Sequence, residues 1–339
     1  MTGLPGSDLH GGKQNRRQSG KECERMPQST KLSTAFLATV ILYLAFMFLP
    51  LLIPQMDSLP SWATMAAGEL LIMVPSLIYV KKNGKDTRRM IPHRRLTIGT
   101  VCCLIVFVPA VSPLVSFFNY VTTIFFGNTA AAAAGTITSM PVWAGVLLMA
   151  VLPAYCEEFV FRGIFFRGYR RHGFYAAALV SALYFGMLHM NWNQFSYAVI
   201  LGIVFVLLEE ASGTIYAPML VHFGINFQSV AAMASYRSAS DYAQAVESSS
   251  QLLYGSGGSG MLVLQGGYLF LAALFSAGIC ALLIYAIARI NSRTGYMVWM
   301  LGKGERAQLK QLPKEKLFSV PMAAAIVICI GFMCWIALR

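Results

Sequence analysis

The chain has 339 residues, 57% of them hydrophobic and only 12% charged. An ordinary soluble domain carries about 25% charged residues, so a soluble globular protein is excluded. A formal net charge of +12 raises nucleic-acid binding, but the placement of the basic residues argues against it.

The first 34 residues are polar and basic and lack the apolar core of a signal peptide, which predicts a disordered cytoplasmic tail. Runs apolar enough to cross a bilayer, which takes about 20 residues, follow at 35–54, 62–80, 97–119, 141–166, 174–190, 194–208, 214–233, 266–288 and 318–338. The fold class is therefore all-α, a polytopic transmembrane helical bundle of eight or nine spans. The runs at 194–208 and 214–233 are the weakest as full crossings. The organisation read from these runs is a tail (1–34), N-terminal membrane helices (35–140), a core (141–233), a flexible outside loop (234–265) and C-terminal helices with a basic loop (266–339). No internal repeat of the transporter kind is visible.

The loops test this topology, because Lys and Arg collect on the cytoplasmic side. With the N-terminus inside, segments 1–34, 81–96, 162–173 and 289–317 hold 24 of the 26 Lys and Arg; only Arg237 and Arg339 fall elsewhere. The charge thus sets orientation and meets anionic lipid. The expected localisation is the cell membrane, multi-pass, with the N-terminus cytoplasmic. The loop 289–317 mixes apolar and basic residues and suits an interfacial helix.

Against that background the stretch YCEEFVFRGIFFRGYRR, residues 155–171, places two adjacent acids within a buried run. A charge at mid-bilayer costs about 2.5–3.5 kcal/mol on insertion scales. Glu157 stands 14 residues before Arg171, and His189 stands 15 residues after Phe174 on the next run. At 1.5 Å per residue both sit ~21–22 Å from the basic end. His222 lies within a third run, with Asn226 at i+4 on its face. Glu158 and Arg162 are also i,i+4, a spacing that pairs acid with base and leaves Glu157 for His189.

Bland readings exist for each residue alone. A Glu–Arg pair at a helix end is most often structural, a lone membrane His is often just hydrogen-bonded, and a lone Asn is often interhelical glue. Their convergence at one depth favours a site, with catalytic candidates Glu157, His189, His222 and Asn226 and site-ordering candidates Glu158 and Arg162. His10, His93 and His172 lie in basic regions and read as solvated. Glu209 and Glu210, at an inside helix end that water can reach, read as a helix-end or gating feature. The seven cysteines follow no metal or disulfide spacing, and Cys156 lies in apolar surroundings that make it a poor nucleophile.

EEFVFR fits EExxxR, FGMLH fits FxxxH and HFGIN fits HxxxN. In this order the three motifs resemble those of the CPBP intramembrane proteases, the type II CAAX prenyl endopeptidases and bacteriocin-processing or self-immunity proteins. The resemblance covers about a quarter of the chain, 141–233. It implies a glutamate-dependent endopeptidase acting on membrane-associated proteins or peptides. Glu157 would activate water held by His189, His222 and Asn226 would donate to the oxyanion, and Glu158 and Arg162 would order the site. The partners implied are such a substrate and the lipid bilayer, with no nucleic acid. No cofactor is implied by this reading; the alternative is zinc held by Glu157, His189 and His222, although no HExxH is present. Two rival functions are a non-catalytic scaffold or immunity protein and a proton-coupled transporter.

Overall fold

A computed structural model describes residues 26–126, 140–236, 258–311 and 315–338, with scattered positions between 240 and 248. The tail before residue 26, residues 127–139, most of the loop 234–265, and Arg237 and Arg339 lie outside the described residues. What is described is helical, with no strand. The principal helices are α1 (Gln28–Leu52), α2 (Ser61–Lys82), α3 (Ile98–Phe126), α4 (Val142–His172) and α5 (Phe174–Leu188). They are followed by α6 (Trp192–Ser212), α7 (Tyr216–Ala234), α8 (Gly258–Ile290), α9 (Thr294–Leu301), α10 (Lys303–Leu309) and α11 (Val320–Ala337).

Seven of these (α1, α2, α3, α4, α6, α8 and α11) are long and apolar enough to cross a membrane. The run at 194–208, read as a weak span, is the centre of a full 21-residue helix. α5 is apolar but has only 15 residues. α7 has 19 residues and is not among the seven, since His222, Asn226 and Gln228 dilute its apolar run. Both belong to the expected core. The chain is a multi-pass helical membrane protein.

Local chemistry explains the breaks. Asn191 begins α6 by accepting from the Gln194 backbone N–H at 2.8 Å, and Gly213 ends it in the left-handed region at φ 74. In α4 a π-helical turn at Leu147–Val151 precedes Pro153. Proline cannot donate to the carbonyl four residues back and its ring crowds that group, so the preceding turn widens. A second π-helical stretch, Phe159–Phe166, begins immediately after Glu158.

Lipid is as apolar as leucine, so membrane helices associate through shape and hydrogen bonds. Phe36 of α1 stacks on Tyr184 of α5 at 3.7 Å between centroids, and the Ser33 hydroxyl lies 2.7 Å from that of Tyr169. Helices α5 and α6 approach so closely at Gly202 that a Cβ there would fall 2.7 Å from the Cβ and 2.8 Å from the Cα of Ala182. Backbone cannot yield as a side chain can. Gly202→Ala is therefore expected to destabilise by about 1–3 kcal/mol, read as a lower thermal midpoint in detergent; an unchanged midpoint would show that the two helices separate freely.

The four basic segments meet at one end of the bundle. Lys31 donates to Asn83 at 3.0 Å, Gln28 to the Gly168 carbonyl at 3.1 Å, and Ser29 to the Lys316 carbonyl at 2.8 Å. The same end corrects the reading of Glu209 and Glu210, which are fully buried rather than water-accessible. Arg167 donates to Glu209 at 2.7 Å and lies 3.0 Å from Glu210. Tyr296 donates to Glu210 at 2.8 Å, Arg293 also contacts Glu210, and Arg170 pairs with Glu305. Glu305 in turn accepts from the Phe174 backbone N–H at 2.8 Å. Charges read from the sequence as separate helix ends are thus tied into one network that fastens α9 and α10 over the ends of α4, α5 and α6.

Candidate active site

Glu157 and Glu158 sit at the junction where the α-helical turn of α4 passes into its second π-helical stretch. Adjacent residues on a helix point about 100° apart, so the two carboxyls have different surroundings. Glu158 and Arg162 are both fully buried and pair at 3.0 Å, as the i,i+4 spacing predicts. The guanidinium lies between two rings, 4.3 Å from the centroid of Phe185 and 4.9 Å from that of Phe205. Its Nε and Nη2 have no hydrogen-bond partner, and the ring faces supply attraction in their place.

His222 joins the two acids. Its Nδ1 donates to Glu158 Oε1 at 2.9 Å, since an ionised carboxylate only accepts. Its Nε2 lies 3.6 Å from Glu157 Oε2, and its ring stacks on Phe205 at 5.1 Å. In the neutral ring that Nε2 carries a free lone pair facing Glu157. The Glu157 Oε2 atom is shielded from solvent and has no hydrogen-bond partner.

His189 stands at the C-terminal end of α5, half-buried, with Nδ1 2.9 Å from the Phe185 carbonyl. Asn191 donates to the His189 carbonyl at 2.9 Å, holding the reversal between α5 and α6. Glu157 and His189 share no hydrogen bond or ion pair; the place expected for His189 is taken by His222. The reason lies in the helix ends. α5 stops at Leu188, whereas α7 continues through His222 and lays the imidazole across both acids. Asn226 lies one turn further along α7, half-buried.

Residues 138–228 match the family model described as Type II CAAX prenyl endopeptidase Rce1-like. This segment resembles that family over about a quarter of the chain. The match contains all three motifs, agrees with the resemblance read from them, and supports a CAAX-type, intramembrane-protease-like function. Neither a curated protein nor a solved structure matches the chain.

Among the described residues no group of three or more His, Cys, Asp and Glu side chains converges closely enough to hold an ion. His222 spends Nδ1 on Glu158, and His189 shares no hydrogen bond or ion pair with Glu157. As arranged, Glu157, His189 and His222 do not form a zinc site.

Two features of the site were not read from the sequence. Phe205, which stacks on both Arg162 and His222, looks like any apolar residue of α6. Glu69 of α2 lies within electrostatic reach of Glu157, far from it in the chain. Its signal was present, as a lone acid in the apolar run 62–80.

Proposed function

We propose that the chain is an intramembrane endopeptidase that hydrolyses peptide bonds of membrane-associated proteins or peptides with a glutamate-activated water. The observation that carries this reading is the pair of buried acids joined by one imidazole, with Arg162 neutralising only Glu158. Glu157 is left without a full cation, as a base requires.

One water can touch both Glu157 Oε2 and the lone pair of His222 Nε2. Glu157 takes its proton as the oxygen attacks the scissile carbonyl, and the same proton then passes to the departing amine. Asn226 remains for the developing oxyanion, its side-chain amide a neutral donor. This assignment moves His222 from the oxyanion to the water, because His222 and not His189 adjoins Glu157. Glu158, with Arg162 behind it, fixes the tautomer and angle of His222. No metal enters the scheme. We further propose the cell membrane as the location, with the basic end of the bundle and the N-terminus in the cytoplasm.

The test is to compare peptide termini, by mass spectrometry, in membranes of cells carrying the wild type or Glu157→Gln at equal expression. Termini that vanish in the variant establish proteolysis and name substrates. Identical termini support a scaffold. A chelator is expected to leave the purified activity within about twofold; a loss restored by zinc would replace the metal-free scheme.

A further inference from the structure

Helices α9 and α10 link two membrane spans, α8 and α11, and lie outside the Rce1-like segment. α8 ends at Ile290 and α9 starts at Thr294, so α9 lies where a span leaves the bilayer. The inner face of the link is fully used. Met297 and Met300 are buried in the core, Tyr296 and Arg293 hold Glu210, and Glu305 is held by Arg170 and the Phe174 backbone N–H. The only acid of the two helices, Glu305, is therefore turned inward.

The outer face has a different composition. Val298 is 70% exposed and Trp299 39%, at i+3 and i+4 from the exposed Gly295, so they share one side of α9. The Trp299 indole packs on Gly304 of α10 so closely that no Cβ could be added there. The apolar side of α9 thus runs straight into the exposed side of α10. There Lys303, Arg306 and Lys310 are all exposed, at i, i+3 and i+7 on one face. Arg306 lies 5.6 Å from the ring centroid of Tyr175, whose hydroxyl donates to the Leu301 carbonyl at 2.7 Å. The outer side accordingly carries apolar and aromatic groups followed by three cations, with no acid among them. That order suits the membrane interface, where apolar groups enter the acyl boundary, Trp sits at headgroup level and Lys and Arg meet phosphate.

We propose that α9 and α10 form an interfacial anchor for anionic phospholipid. Val298 and Trp299 enter the acyl boundary, and Lys303, Arg306 and Lys310 bind the headgroup phosphate. The inward bonds of the same two helices run to Glu210 of α6 and Arg170 of α4, so lipid held outside braces the ends of both. The lipid contact does not depend on the proposed protease activity.

The test uses the full-length protein in phosphatidylcholine vesicles containing phosphatidylglycerol, with one lipid or the other carrying bromine on its acyl chains. Bromine quenches tryptophan at contact, and Trp299→Phe separates the signal of Trp299 from that of the other four tryptophans. Trp299 is expected to be quenched by both lipids and, mole for mole, at least about threefold more by brominated phosphatidylglycerol. Each basic residue at an anionic surface adds about fivefold in association. Lys303→Gln, Arg306→Gln and Lys310→Gln together should therefore abolish the preference, and Val298→Asp should weaken quenching by both lipids. The three basic side chains are exposed, so the thermal midpoint in neutral detergent should hold; a marked fall would make them part of the fold and overturn the reading. Wild type and Trp299→Phe quenched alike would place α9 outside lipid, and an unchanged preference in the triple variant would place the headgroup elsewhere. Either result overturns the anchor. A face made instead for an acidic substrate would give unchanged quenching in the triple variant together with a raised KM for cleavage.

Discussion

Glu157→Gln is expected to lower kcat by about 10²–10⁴-fold at neutral pH, with KM within about twofold. The amide has the shape of the carboxyl and still holds a water, but it cannot take a proton. Nothing that fixes the helices is lost, because Glu158 and not Glu157 carries the bond to Arg162. The thermal midpoint should therefore hold while the rate falls. The measurement is steady-state cleavage, in detergent or liposomes, of a substrate identified by its vanishing terminus. A variant retaining more than about a tenth of the rate would move the base to His222 or to a metal-bound water. Glu158→Gln should behave differently. It keeps the base but frees both His222 and Arg162, so rate and stability fall together.

The largest stability effect is expected at Arg162. Arg162→Met matches the side chain in length and apolar volume but leaves Glu158 fully buried without its cation. Breaking a buried pair by removing one partner destabilises by about 3–5 kcal/mol. The rings of Phe185 and Phe205 also lose the guanidinium between them. Arg162→Lys should recover little, because an ammonium is compact and strongly hydrated and does not fill a planar slot between two rings. The double variant Arg162→Met, Glu158→Met removes both charges and should be more stable than Arg162→Met alone. Thermal unfolding in one detergent measures all three. A single variant as stable as the wild type would mean that water reaches Glu158 and that the pair is not sealed.

Composition and loop charge were enough to establish a helical membrane protein, because the bilayer leaves so few ways to satisfy a backbone. The basic segments could be sorted to one side for the same reason, and the structure gathers them at one end. The Glu158–Arg162 pair was legible because both partners share one helix, where i,i+4 is a distance as well as a spacing. The three motifs could be placed at a common depth by counting residues along helices. Which histidine meets Glu157 could not be counted. It depends on where α5 stops, how α7 leans, and how closely Gly202 lets α6 approach α5. The burial of Glu209 and Glu210 and the arrival of Phe205 and Glu69 at the site have the same origin. Each is a contact between helices distant in the chain. In lipid such contacts are chosen by shape and hydrogen bonding rather than by a periodicity that one strand of sequence displays.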